Sequence, residues 1–112
     1  MRTDQTTRAP LAVTCGDPAG IGIEIFLAAR KDIGPDIPMV LFADRQHLPR
    51  DIPVTLFQPD AAPPPPDHIW LHQIDFSKPA HPGRPDQRNA AGVIAAIEQA
   101  VRLTQAGQMA GL

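Results

Sequence analysis

Leu11-Ala12-Val13-Thr14-Cys15-Gly16-Asp17-Pro18-Ala19-Gly20-Ile21-Gly22-Ile23-Glu24 is the stretch that decides the fold class. Leu11 to Cys15 is apolar almost throughout and reads as a strand. Ile21 to Arg30 reads as a helix. Three glycines and a proline between them describe a tight βα turn, because glycine permits positive φ and close approach of a ligand or of neighbouring backbone. A β-carbon at Gly20 or Gly22 is expected to obstruct that turn. The helix it opens presents unpaired backbone N–H groups and a positive dipole end, which suit an anionic group. The spacing G-x-x-x-G-x-G is not the dinucleotide fingerprint, and no Gly-Lys-Ser/Thr follows to make a phosphate-binding P-loop. Asp17 and Glu24 make the loop less attractive to bare phosphate, although Glu24 suits the first turn of a helix. Two readings stay open: a structural turn, or a loop that touches a ligand.

Outward from this turn the chain keeps alternating strand and helix signals. Residues 1–10 read as a flexible polar tail. The apolar residues of the first helix (Ile21, Ile25, Phe26, Leu27 and two alanines) nearly surround it, which predicts deep burial. Gly34-Pro35 ends that region. Met39 to Ala43 is a continuous apolar run and the best candidate for a central strand, followed by Asp44 and a short helical turn at Arg45 to Leu48. Val54 to Phe57 predicts a third strand, and Ala61 to Pro66, with four consecutive prolines, an exposed polyproline-like loop. Ile69 to Ile74 alternates, which predicts a strand with one less-buried face. After a loop from Pro79 to Pro85, Asp86 is placed to cap a long helix to Gln105, with Ala90, Val93, Ile94, Ile97, Ala100, Val101 and Thr104 on its apolar positions. Gly107 stops that helix in the C′ position, and Gln108 to Leu112 reads as the run-in to another strand. The fold class is α/β, a mostly parallel sheet flanked by helices.

Composition narrows the function classes. With a net charge of −2, no basic block and 4% aromatics, the chain lacks the positive stripe that nucleic acid requires. No apolar run approaches the ~20 residues of a membrane span. The single cysteine, Cys15, excludes an internal disulfide and fits a reducing cytoplasm; at the end of a buried strand it reads as a packed small hydrophobe rather than a nucleophile.

The four histidines invite a metal reading. His68 and His72 have the spacing that shares a metal on a helix, but on a strand they lie roughly 13 Å apart, too far for one ion. His47 and His81 sit beside prolines in turns, so all four read as solvent-exposed or loop histidines. Asp44, at the end of the second strand, is placed either to hold ribose hydroxyls or to cap the turn that follows; the cap is the favoured reading. Glu24 is read as a helix-start residue, since a lone carboxylate does not define acid–base chemistry. The alanine-rich stripe of the long helix reads as packing against the sheet or a subunit neighbour.

The literal string Gly16 to Gly22 with Glu24 resembles the N-terminal signature of the 4-hydroxythreonine-4-phosphate dehydrogenase family of vitamin B6 biosynthesis. More loosely, it resembles a loop of the isocitrate and isopropylmalate dehydrogenases. Ile23 stands where the family usually has proline, and the segment after Asp44 is contracted relative to the family's longer helix. A second patch, Gly83-Arg84-Pro85-Asp86 through Asn89-Ala90-Ala91 to Ile97-Glu98-Gln99-Ala100, resembles the same family in the same order. The resemblance implies that residues 11–112 are the N-terminal part of an isocitrate-dehydrogenase-like α/β domain, incomplete in this chain. It implies a cytoplasmic homodimer with NAD or NADP and a divalent metal, oxidising the phosphorylated small molecule 4-phosphooxy-L-threonine. The family's metal histidines match none of the four here, so the ligands are not expected in this chain. The site residues carried over are Gly16, Asp17, Gly20 and Gly22, as a cleft-lining or cofactor-proximal loop. The alternatives are a relative acting on another phosphorylated hydroxy acid or a dihydrodiol, and a non-catalytic binding module that uses the turn alone.

Overall fold

The computed structural model describes residues 9–33 and 36–112. Most of the expected polar tail and the Gly34-Pro35 stop therefore lie outside the described residues. Four strands, β1 (Leu11–Thr14), β2 (Met39–Ala43), β3 (Val54–Leu56) and β4 (Ile69–Gln73), form one sheet in the order β1-β2-β4-β3, parallel at every pairing. Helix α1 (Gly22–Ile33) links β1 to β2, and α2 (Ala90–Gln105) follows β4. Short 3-10 turns at Arg45–His47 and Gln87–Asn89 complete the elements.

β1 and β2 sit where apolar runs demanded strands. Val40, Leu41, Phe42, Ile69 and Leu71 are wholly buried, each contributing on the order of 1.5–3 kcal/mol of apolar burial. β2 is interior, as its unbroken run predicted. β4 departs from expectation: Ile69, Trp70 and Leu71 are all buried, so this strand has no less-buried face until His72. It is interior too, with β2 on one side and β3 on the other, and cover on both faces removes the alternation.

Both helices correct the sequence reading in part, although the alanine-rich stripe of α2 packs as expected. α1 buries only Ile23 and Phe26, while Ile21 is 65% and Ile25 57% exposed; it lies on the sheet by one face and is not deeply buried. α2 turns its small residues inward: Gly92, Ala96 and Ala100, four apart, form the buried stripe, and Ile94, Ile97 and Val101 point outward. The cause is close approach. A β-carbon at Gly92 would stand 2.5–2.7 Å from the ring of Phe76, so only a glycine-and-alanine face lets the helix come this near.

The ends of α2 follow the expected chemistry. Asp86 caps the 3-10 turn that leads into the helix, accepting from Arg88 N (2.9 Å) and pairing with its guanidinium (2.8 Å). Gly107, at φ 81°, donates to Thr104 O, and Gln108 donates to Leu103 O; together they close the helix in a Schellman turn. The chain then returns to the free edge of β1, where Gly111 makes a parallel bridge to Leu11 and accepts from Ala12 N at 2.8 Å. The expected run-in to a strand is present there.

Gly92→Ala tests this packing. Helix propensity favours alanine by about 1 kcal/mol, but the clash with Phe76 outweighs it, and a net loss of about 1–2 kcal/mol is expected in urea unfolding. Adding Phe76→Leu should recover part of that loss.

Candidate functional site

Parallel strands all point one way, so the loops that follow them gather at one edge. At that carboxyl edge lie the Gly16–Ile21 loop after β1, Asp44 after β2 and the segment from Ile74 to Lys78 after β4. The chain leaves β1 towards β2 and later comes back to the opposite side of β1. Such a reversal opens a crevice outside the strand end, the usual ligand position in open α/β sheets.

The loop is built by three local devices. Gly16 takes φ 68°, the left-handed conformation that lets the chain leave the strand sharply. Asp17 accepts from Ala19 N through Oδ1 (2.9 Å), and its carbonyl accepts from Gly20 N (2.9 Å), which folds residues 17–20 into a turn. Gly22, the first residue of α1, lies against the carbonyl of Cys15, and a β-carbon there would collide with that oxygen. The obstruction expected at Gly20 and Gly22 is thus concentrated at Gly22. At Gly20 a β-carbon meets Asp17 O at 3.3 Å, a tight but yielding contact. Gly16, Asp17 and Gly20 are exposed, whereas Gly22 is half-buried. The first hydrogen bond of the helix runs from Ile25 N to Ile21 O, so the amides before Ile25 are the orphan donors of a helix start.

The two patches of sequence that carried the resemblance meet here. Gly83, at φ 73°, donates its N–H to Ala19 O at 2.9 Å, so the turn before α2 is fastened to the loop before α1. Nothing local in the sequence announces this bond, because it joins two backbone atoms 64 positions apart.

Asp44 is buried, and both of its oxygens are fully used. Oδ1 accepts from Gln46 N (3.0 Å) and Gln73 Nε2 (3.0 Å); Oδ2 accepts from Gln46 Nε2 (2.7 Å) and Phe76 N (2.8 Å). A carboxylate has about four lone-pair sites, so none is left for a ribose hydroxyl. The cap reading holds. Burial pushes this carboxyl up, but the hydrogen bonds from Phe76, Gln46 and Gln73 together outweigh it and hold the group below its ordinary value.

The histidines are more engaged than expected. His47, half-buried, donates from Nε2 to Lys78 O (2.8 Å) and lies edge-on to Phe76; its Nδ1 is buried without a partner among the described residues. His72, also half-buried, stacks on Phe42 and donates from Nε2 to Gln99 Oε1 (2.7 Å). His68 Nδ1 is hydrogen-bonded to Thr55 Oγ1 at 2.8 Å, and His81 alone is simply exposed. Among the described residues no three of His, Cys, Asp and Glu converge as a metal would need. Cys15 is buried and free, and burial pushes its thiol up to about 11, which fits a packed residue. A groove of about 350 Å³ among Phe26, Arg30, Met39, Pro63 and Trp70 opens at the opposite, amino-terminal edge. No residue of the Gly16–Gly22 loop lines it.

These features define a parallel α/β sheet with a glycine-rich loop at the carboxyl edge. The sequence is 35% identical over 107 residues to the 4-hydroxythreonine-4-phosphate dehydrogenase of Paracoccus denitrificans (strain Pd 1222), covering 96% of this chain and 32% of that protein. It is 40% identical over 106 residues to the protein of the same name from Roseobacter denitrificans (strain ATCC 33942 / OCh 114), covering 93% and 32%. The crystal structure of 4-hydroxythreonine-4-phosphate dehydrogenase from Klebsiella pneumoniae superposes with a TM-score of 0.77 at 24% identity, over 90% of this chain and 35% of that one; this likeness is one of fold. No family model matches the chain. Over nearly its whole length the chain is similar in sequence to the 4-hydroxythreonine-4-phosphate dehydrogenases, as the two patches implied, and it spans about a third of their length.

Two measurements check the loop. Gly22→Ala should cost about 1–3 kcal/mol in urea unfolding, against less than about 1 kcal/mol for Gly20→Ala. Cys15 should react with a thiol reagent at pH 8 far more slowly in the folded chain than in urea, since the buried thiol is neither ionised nor reachable.

Proposed function

We propose that this chain is part of an NAD(P)- and divalent-metal-dependent dehydrogenase that oxidises 4-phosphooxy-L-threonine in vitamin B6 biosynthesis. Residues 11–112 then form the N-terminal part of its α/β domain. The observation that supports this best is the loop itself: the stretch most like the family is held open at the carboxyl end of β1, where the chain reverses direction. In this reading Gly16, Asp17, Gly20 and Gly22 form the cofactor-proximal wall of the cleft. Gly16 and Gly20 let a ligand approach the backbone, Asp17 offers its outer carboxylate oxygen, and Gly22 sets the helix start that aims the loop.

The fit to the two implied groups differs. The exposed turn and the orphan amides at the start of α1 suit close approach of a nicotinamide cofactor, which when bound supplies the hydride acceptor. Asp44 takes no part, because its acceptor sites are filled. The described residues do not fit a divalent metal, so no step is derived through one. The parent is taken as a cytoplasmic homodimer; no helix among the described residues is long and apolar enough to cross a membrane. A self-contained binding module calls for a closed sheet edge, whereas Gly111 alone bridges the outer edge of β1 among the described residues.

The test places residues 1–112 in the Paracoccus denitrificans relative in exchange for the third that they match. The folded chimera should reduce NAD(P)+ with 4-phosphooxy-L-threonine and a divalent metal, and the 112-residue chain alone should not. In the chimera Asp17→Asn should raise KM for cofactor or substrate by roughly three- to tenfold, on the scale of one lost polar contact, with an unchanged melting temperature. A folded chimera without turnover overturns the dehydrogenase reading; full activity with unchanged kinetics in Asp17→Asn overturns only the role given to the loop.

A further inference from the structure

The groove of about 350 Å³ at the amino-terminal edge of the sheet has no part in the site at the opposite edge. Its volume falls in the range of small-molecule sites, which are mostly apolar with a few placed polar groups. Phe26 and Trp70, both buried, and the half-buried Met39 line it, and the run from Pro63 to Pro66 adds four proline rings. Two cations, Arg30 and Lys31 in the last turn of α1, also line it, and among the described residues no carboxylate does.

The walls and one of the cations are fixed by contacts of their own. Arg30 Nη1 donates to Pro66 O (3.1 Å) and His68 O (3.2 Å), which ties α1 to the end of the proline run. His68 is held in turn by Thr55 Oγ1 (2.8 Å), and Trp70 lies against Phe57 with ring centroids 5.3 Å apart. The other edge of the guanidinium, Nη2 with Nε, has no acceptor among the described residues, and Nε is buried. A buried donor left unpaired calls for an explanation. That edge is a fork that takes a carboxylate through two parallel hydrogen bonds, so an oxygen seated at Nη2 brings the second one to Nε. A ring-lined apolar groove with a fixed cation in its wall matches an anion carried on a flat apolar body, and rigid walls lower the cost of binding it.

We propose that this groove binds a small organic carboxylate with a flat apolar body, its charge taken by Arg30 and Lys31 and its body set against Trp70 and the prolines. The site is separate from the Gly16–Gly22 loop, and the proposal is independent of the dehydrogenase reading.

Cinnamate is the probe, and Trp70 the reporter, since it is the only tryptophan of the 112-residue chain. In proton–nitrogen correlation NMR the indole N–H signal should shift saturably with added cinnamate, at a Kd on the order of 1 mM for a ligand of this size. Cinnamyl alcohol keeps the ring and lacks the charge, and inorganic phosphate keeps charge and lacks the ring. Each should bind about tenfold more weakly or worse. Lys31→Gln, at an exposed position, should weaken cinnamate about threefold with an unchanged unfolding midpoint, and Arg30→Gln about tenfold or more. Because Arg30 also ties α1 to the proline run, the Lys31 variant and the uncharged alcohol decide the case if Arg30→Gln does not fold. An indole signal that stays in place up to about 20 mM cinnamate overturns the proposal. So does equal affinity for the alcohol or for phosphate, or cinnamate binding that the folded variants leave unchanged.

Discussion

The buried carboxylate of Asp44 is the constraint on which the carboxyl edge depends. It ends β2, caps the turn that follows, holds the side chain at the end of β4 through Gln73 and fixes the backbone of Phe76. Phe76 in turn lies against Gly92, so the seat of α2 is referred back to one acid four bonds deep in donors. Gln46 closes the circuit by donating to both Asp44 and Phe76 O. An ionised group removed from water persists only when its lone pairs are filled, and here all of them are. The same saturation that makes Asp44 a good clamp makes it a poor ligand, which is why an acid placed as in a nucleotide-binding domain does not act as one.

A second edge of the same architecture belongs to glycine. Gly22 brings α1 onto the end of β1, Gly83 ties the turn before α2 to the loop before α1, and Gly16 lets the loop leave the strand. The result is a turn whose exposed residues, Gly16, Asp17 and Gly20, stand clear of the packing that holds their neighbours. The loop stays exposed while Gly22 and Gly83 carry the backbone contacts that hold it in place.

Much of this was legible in the sequence, and the division has a physical basis. β2 was readable to the residue because a continuous apolar run has one interpretation in a parallel sheet. The caps at Asp44 and Asp86 and the stop at Gly107 were readable because their hydrogen bonds are local. Helix faces were legible only in part. The alanine-rich stripe of α2 was read as packing, and Ala96 and Ala100 are indeed buried against the sheet. The same spacing also placed Ile94, Ile97 and Val101 on the core face, and close approach to Phe76, a residue on another element, turned them outward. The histidines were read as loop residues because their partners, Lys78, Gln99 and Thr55, lie 13 to 31 positions away. Within the site the glycine loop was visible from its composition, whereas the bond from Gly83 to Ala19 had no signal at all.

The pH dependence of unfolding, compared between the parent chain and Asp44→Asn, tests the central role of this acid most directly. Asparagine keeps the shape but offers one acceptor oxygen and an NH2 group that would face the donors of Gln46, Gln73 and Phe76. Asp44 is held below its ordinary carboxylate value in the folded chain, so its contribution is complete above the unfolded value near 3.8 and is lost as pH falls through the lower folded value. The parent chain should therefore be clearly more stable than Asp44→Asn at pH 7, with the gap narrowing as pH falls below about 4. Equal stability at pH 7, or a gap that does not change with acid, would contradict the account.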